Sequence, residues 1–125
     1  GNLDLEADSS FFDLEGIKVA PHLFIDRLGK ITQLVSFDKR AWHAGVSSWR
    51  NRPNCNNYSI GLELEGSDNT SYEDHQYQSL RVVLSALFLA YERLSLESVV
   101  GHSEISPERK TDPGQYFDWT KLYDR

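Results

Sequence analysis

Between residues 18 and 35 polar and apolar side chains alternate, with an interruption at Arg27-Leu28-Gly29-Lys30. Lys18 to Asp26 (KVAPHLFID) reads as a strand, and Pro21 places it at an edge or beside a bulge. Gly29 supplies a residue free to adopt φ > 0, and Ile31, Gln33 and Val35 mark a return strand, so this segment is predicted to be a hairpin. Tyr58 to Glu65 (YSIGLELE) alternates again. Ile60, Leu62 and Leu64 share one face, and Ser59, Gly61, Glu63 and Glu65 the other. Gly66-Ser67-Asp68-Asn69 ends that strand.

A period near 3.6 takes over further on. Tyr77, Leu80, Leu84, Leu87, Phe88 and Tyr91 form a stripe that predicts one long core-facing helix. Thr70-x-x-Glu73 in front of it has the form of a capping box. Val99 and Val100 read as a short strand stopping at Gly101-His102. The chain then runs as loop through Pro107, Pro113 and Gly114 to a helical turn near Trp119 to Tyr123. Ser36 to Asn57 holds few apolar runs and many turn and aromatic residues. It reads as a long irregular loop, and such loops inside a compact domain usually serve function. At the start, Asp4 to Ser10 is acidic and turn-like, and Phe11, Phe12 and Leu14 could cover an edge of the core. Strands interleaved with one dominant helix predict an α/β or α+β fold on a mixed sheet, with residues 1–125 as a single domain.

Composition narrows the function classes. A formal net charge of -6 disfavours the phosphate contacts on which nucleic-acid binders depend. No apolar run approaches the roughly 20 residues that span a bilayer, and the acidic, polar opening shows no secretory signal. The single cysteine, Cys55, leaves no internal disulfide and no all-thiolate zinc site. One thiol suits a reducing compartment, so a cytoplasmic location is expected.

Three segments could carry chemistry. GHSEISPERKTDPG (residues 101–114) sets His102 before a Pro-bounded loop that returns with Lys110 and Asp112. Imidazole nitrogen and carboxylate oxygen are both good zinc donors, and an ammonium suits the charge developing on a carbonyl oxygen under attack. On spacing alone, however, a capping histidine and a surface aspartate are the commoner reading. Glu63, held on an apolar-backed strand, could be a partly desolvated base or simply a residue of the wet face. Trp42-His43-Ala44-Gly45 could wall a sugar or peptide site, or only cover core.

Taken together, FDKRAWHAGVSSWRNRPNCNNYSIGLELEG (residues 37–66) and GHSEISPERKTDPGQYFDW (residues 101–119) resemble the AmpD-type N-acetylmuramoyl-L-alanine amidases. These belong to the amidase type 2 family, which shares its fold with peptidoglycan-recognition proteins. The similarity runs from about residue 12 to residue 122. It implies a mixed central sheet flanked by helices and zinc-dependent hydrolysis of the muramic acid–L-alanine amide in muropeptides, in peptidoglycan recycling. It also implies roles for single residues. His102 and Asp112 match the second histidine and the aspartate that bind Zn2+, while Glu63 and Lys110 match the catalytic pair. Trp42 and His22 match the substrate groove, and Asn56 a position that helps hold substrate. In that scheme the metal activates water and polarises the carbonyl. Glu63 moves the proton to the leaving nitrogen, and Lys110 steadies the oxyanion.

The chain departs from the family in two places. No histidine precedes His22, whereas the family's first zinc-binding histidine lies upstream on the first strand. The expectation is therefore a domain truncated at its N-terminus, with an exposed sheet edge that favours self-association or pairing with the missing segment. Asn54 stands where an arginine is expected near the cysteine. A catalytically incomplete domain that binds a muropeptide without cutting it is the rival from another class. Retention of Glu63, Lys110, His102 and Asp112 together favours the enzyme.

Overall fold

The computed structural model describes residues 20–67 and 69–122. The acidic opening, the Phe11, Phe12 and Leu14 cluster and the expected N-terminal gap lie outside the described residues. Strands β1 (Leu23–Ile25) and β2 (Ile31–Gln33) pair antiparallel, with Leu23 opposite Gln33 and Ile25 opposite Ile31. The predicted turn joins them. Gly29 has φ +86, and Asp26 Oδ1 accepts the N–H groups of Leu28 and Lys30 at 3.0 and 2.8 Å.

The third strand of the sheet, β5 (Leu62–Leu64), lies parallel to β1 on its other side, giving the order β2-β1-β5. Phe24 is level with Glu63 in that register. The predicted alternation holds: Leu62 and Leu64 pack into the core, while Glu63 faces solvent. The ordered strand is shorter than Tyr58 to Glu65, because only its last part lies beside β1.

The long helix, labelled α1, spans Asp74–Ala90 and covers the sheet face formed by Leu23, Ile25, Leu62 and Leu64. Tyr77, Leu80, Leu84 and Leu87 of the predicted stripe are buried, and Phe88 packs against the same cluster. Tyr91 departs from it, as the C-cap residue, 40% exposed. The start departs from the predicted Thr70 cap as well, since the N-cap is Glu73. Gln76 explains the shift. Its Oε1 accepts the Glu73 N–H at 2.9 Å, and its Nε2 donates to the carbonyls of Glu65 at 2.9 Å and Ile25 at 3.4 Å. This fully buried amide ties the first turn of α1 to the ends of β1 and β5, which satisfies polar groups that would be costly to leave unpaired.

Residues 36–57 are more regular than expected. Two short strands, β3 (Ser48–Trp49) and β4 (Arg52–Pro53), form a hairpin whose turn residues Arg50 and Asn51 have φ of 51 and 65. A 3-10 turn over Cys55–Asn57 follows. The strand expected at Val99 and Val100 is absent. Val99 has extended backbone (φ -91, ψ 110), but no described strand lies beside it to form a ladder. His102 consequently opens a short helix, α2 (His102–Ile105), instead of closing a strand. A 3-10 turn at Trp119–Leu122 matches the predicted C-terminal turn.

Candidate active site

Two loops meet on the sheet face that carries Glu63. The first, Ala41 to Ser59, lays the ring of His43 over Gly61, two residues before Glu63. A Cβ at Gly61 would sit 2.4 Å from His43 Cγ, so a side chain there would displace the ring. The hydroxyl of Ser59 donates to the Cys55 carbonyl at 2.6 Å, which leaves it to accept from His43 Nε2 at 3.0 Å. Burial, followed by the neighbouring charges of His22 and His102, lowers the His43 pKa from 6.5 to about 4. This ring is therefore neutral at physiological pH.

The second loop, 101–114, brings His102 and Asp112 together, with His102 Nδ1 lying 3.4 Å from Asp112 Oδ2. Backbone bonds prepare this approach. The Ser103 N–H donates to the Asp112 carbonyl at 3.0 Å, and Tyr72 Oη donates to the Pro113 carbonyl at 2.8 Å. On the far side of the imidazole, His102 Nε2 donates to the Ala44 carbonyl at 2.8 Å. Because a carbonyl only accepts, that bond places a proton on Nε2 and turns the Nδ1 edge of the ring toward Asp112. Glu63 belongs to the same cluster. Although much of its side chain is open to solvent, partial burial of the carboxyl raises its pKa, and the charge of Asp112 raises it further.

The other expected site residues are distributed unevenly. Lys110 lies two residues before Asp112, half-buried, with its N–H donating to the Ser106 carbonyl at 2.9 Å. Trp42 is 51% exposed, with the Arg40 guanidinium 5.1 Å from its ring centre. His22 is not brought to the surface. It is 1% exposed, its Nδ1 accepts the Gly61 N–H at 3.0 Å, and its Nε2 donates to the Lys39 carbonyl at 2.7 Å. It sits beneath the site wall and joins the strand to the loop. Asn56 turns its Oδ1 to the N–H groups of His43 and Ala44, at 3.0 and 2.9 Å.

Arg109 is a residue that sequence reasoning missed. Its Nη2 donates to the carbonyls of Ala44 at 2.8 Å and Val46 at 3.3 Å, over the face of Gly45. Only its position beside Lys110 could have drawn notice, because its partners lie more than 60 residues away. Cys55, buried and free, contacts Tyr58 Oη at 3.2 Å and belongs to the packing of the first loop. Among the described residues no group of three or more His, Cys, Asp and Glu side chains is gathered to hold a metal.

The N-acetylmuramoyl-L-alanine amidase family profile matches residues 2–115. The chain belongs to that family. It is 45% identical over 121 residues to the 1,6-anhydro-N-acetylmuramyl-L-alanine amidase AmpD of Haemophilus influenzae, covering 97% of this chain and 66% of the relative. To the AmpD of Escherichia coli it is 47% identical over 122 residues, covering 98% and 66%. The chain thus spans just under two thirds of the length of these amidases. The crystal structure of a selenomethionine AmpD derivative superposes with TM-score 0.83 and 48% identity, covering 95% of this chain and 66% of that one. The Escherichia coli amidase AmiD, in complex with its substrate anhydro-N-acetylmuramic acid-L-Ala-D-gamma-Glu-L-Lys, superposes with TM-score 0.80 and 34% identity, covering 93% and 51%. The fold is accordingly that of the amidase type 2 family, as the sequence resemblance implies. No helix among the described residues is long and apolar enough to cross a membrane.

Proposed function

We propose that this chain carries the catalytic face of a zinc-dependent amidase that hydrolyses the bond between 1,6-anhydro-N-acetylmuramic acid and L-alanine in muropeptides. The observation that carries the reading is the meeting of His102 Nδ1 and Asp112 Oδ2 at 3.4 Å, beside a carboxyl, Glu63, whose pKa is raised. Two donors on one tetrahedral zinc stand roughly 3.3 Å apart, given metal–ligand distances near 2.0 Å. The donor set and the Nε2–H tautomer of His102 both fit that ion. His102 and Asp112 would hold it, with remaining positions filled from elsewhere. When bound, zinc supplies Lewis acidity toward water and toward the scissile carbonyl.

The remaining chemistry falls to the chain's own side chains. Glu63, with an affinity for protons above that of an ordinary carboxylate, takes one from the attacking water and passes it to the departing L-alanine nitrogen. Lys110 offers its ammonium to the oxyanion formed at the carbonyl. Trp42 presents an exposed ring to the sugar or peptide. A cytoplasmic recycling role belongs to the same reading, and the unpaired thiol of Cys55 is in keeping with it. Incubation with an anhydromuramyl peptide and zinc, followed by mass spectrometry, tests the proposal. Release of the free stem peptide, abolished by chelation, is expected. Binding of the intact muropeptide without cleavage, in a protein carrying the family's full length, would replace the enzyme by a muropeptide-binding domain.

A further inference from the structure

Asn56 stands apart from the His102–Asp112 pair, yet the hydrogen bonds run from one to the other. Its Oδ1 accepts two successive backbone N–H groups, His43 at 3.0 Å and Ala44 at 2.9 Å. The next carbonyl along that backbone, of Ala44, accepts His102 Nε2 at 2.8 Å and Arg109 Nη2 at 2.8 Å. Ala44 is fully buried, and Gly45 after it turns the chain with φ +66. The Ala44 oxygen is therefore fixed from behind by Asn56 and engaged in front by two donors. We propose that Asn56 is a positioning residue that holds the Ala44 carbonyl in place, so that His102 keeps its Nε2–H tautomer and presents the Nδ1 lone pair beside Asp112. It acts through Ala44 and not by touching substrate.

The physical basis is tautomer selection. A neutral imidazole carries one proton, and the acceptor facing one nitrogen decides which nitrogen keeps a free lone pair. Partners that orient a metal-binding histidine in this way alter metal affinity by roughly 10- to 100-fold. The inference rests on reading His102 and Asp112 as a metal-binding pair.

The test uses the whole chain labelled with 15N-histidine, with tautomers read from long-range 1H–15N spectra and zinc affinity from competition with a chelator. The unsubstituted chain should show His102 in the Nε2–H form. Asn56→Ala should give a mixture of tautomers and weaken zinc by about 10-fold. Asn56→Asp, which keeps an oxygen acceptor in place, should restore both. A folded Asn56→Ala protein with its His102 tautomer and zinc affinity unchanged overturns the proposal. If Asn56→Ala does not fold, Asn56→Gln takes its place, because it moves the oxygen by one methylene. Loss of the tautomer in Asn56→Gln but not in Asn56→Asp supports the role, and identical tautomers in the two overturn it. Failure of the unsubstituted chain, with His102 and Asp112 as its two zinc donors, to hold zinc would leave the amidase reading to the muropeptide assay and the tautomer comparison decisive for Asn56.

Discussion

Gly61 lies directly under the imidazole of His43, so close that a methyl group at position 61 would meet His43 Cγ at 2.4 Å and Nδ1 at 2.7 Å. The glycine is required by this approach and not by its backbone angles. Gly61→Ala should therefore expel the ring from its bond to Ser59 and destabilise the fold by about 2 kcal/mol. Gly61→Ala combined with His43→Ala should cost less than the sum of the two single changes. Urea denaturation of the four proteins gives the coupling, and strict additivity would show that the contact is relieved elsewhere.

The same ring governs acid stability. Above pH 6.5 His43 is neutral whether the chain is folded or not. Between pH 6.5 and about 4 the unfolded chain takes up a proton that the folded chain refuses, so stability falls with pH across that window. After allowance for the partly open ring, the loss is roughly 2 kcal/mol. Glu63 works in the opposite sense, since its raised pKa lets the folded chain take a proton first as pH falls toward 4.5. In His43→Phe the slope of unfolding free energy against pH should flatten between 6.5 and 4. An unchanged slope would assign the acid sensitivity to other groups.

On the proposed amidase mechanism, Glu63→Ala and Lys110→Ala should each lower kcat by about 100-fold or more. Zinc content should be unaffected, because neither residue is assigned to the metal. Turnover near the unsubstituted rate in either protein removes that residue from the mechanism, and loss of zinc in Glu63→Ala would reassign it as a ligand.

Asp112→Ala and His102→Ala should each reduce zinc affinity by more than about 100-fold, beyond the effect of an orienting partner. Metal titration followed by mass spectrometry under native conditions measures this directly. Equal affinity in all three proteins would place the metal away from the 3.4 Å pair.

Where side-chain periodicity alone sets the outcome, the residues determined it by themselves. The alternation of β1 and β5 put Glu63 on the face away from α1, because side chains of a strand alternate whatever else surrounds it. The stripe from Tyr77 to Leu87 found the core for the same reason at helical period, and Gly29 marked its turn. The segment around His102, Lys110 and Asp112 pointed to zinc chemistry only through its resemblance to the amidase type 2 family, because its spacing alone favoured a capping histidine and a surface aspartate. Tertiary structure decided what depends on distant partners. His22 became an interior link because Gly61 and Lys39 take both its nitrogens. Gln76 drew the start of α1 to Glu73 by reaching the carbonyls of Ile25 and Glu65. Val99 and Val100 stayed outside the sheet because a strand exists only where another lies beside it. Asn56 and Arg109 acquired their places through Ala44, to which Arg109 donates across 65 positions of sequence. Local periodicity fixes which way a side chain points, whereas its partner is set by the fold that brings remote backbone to it.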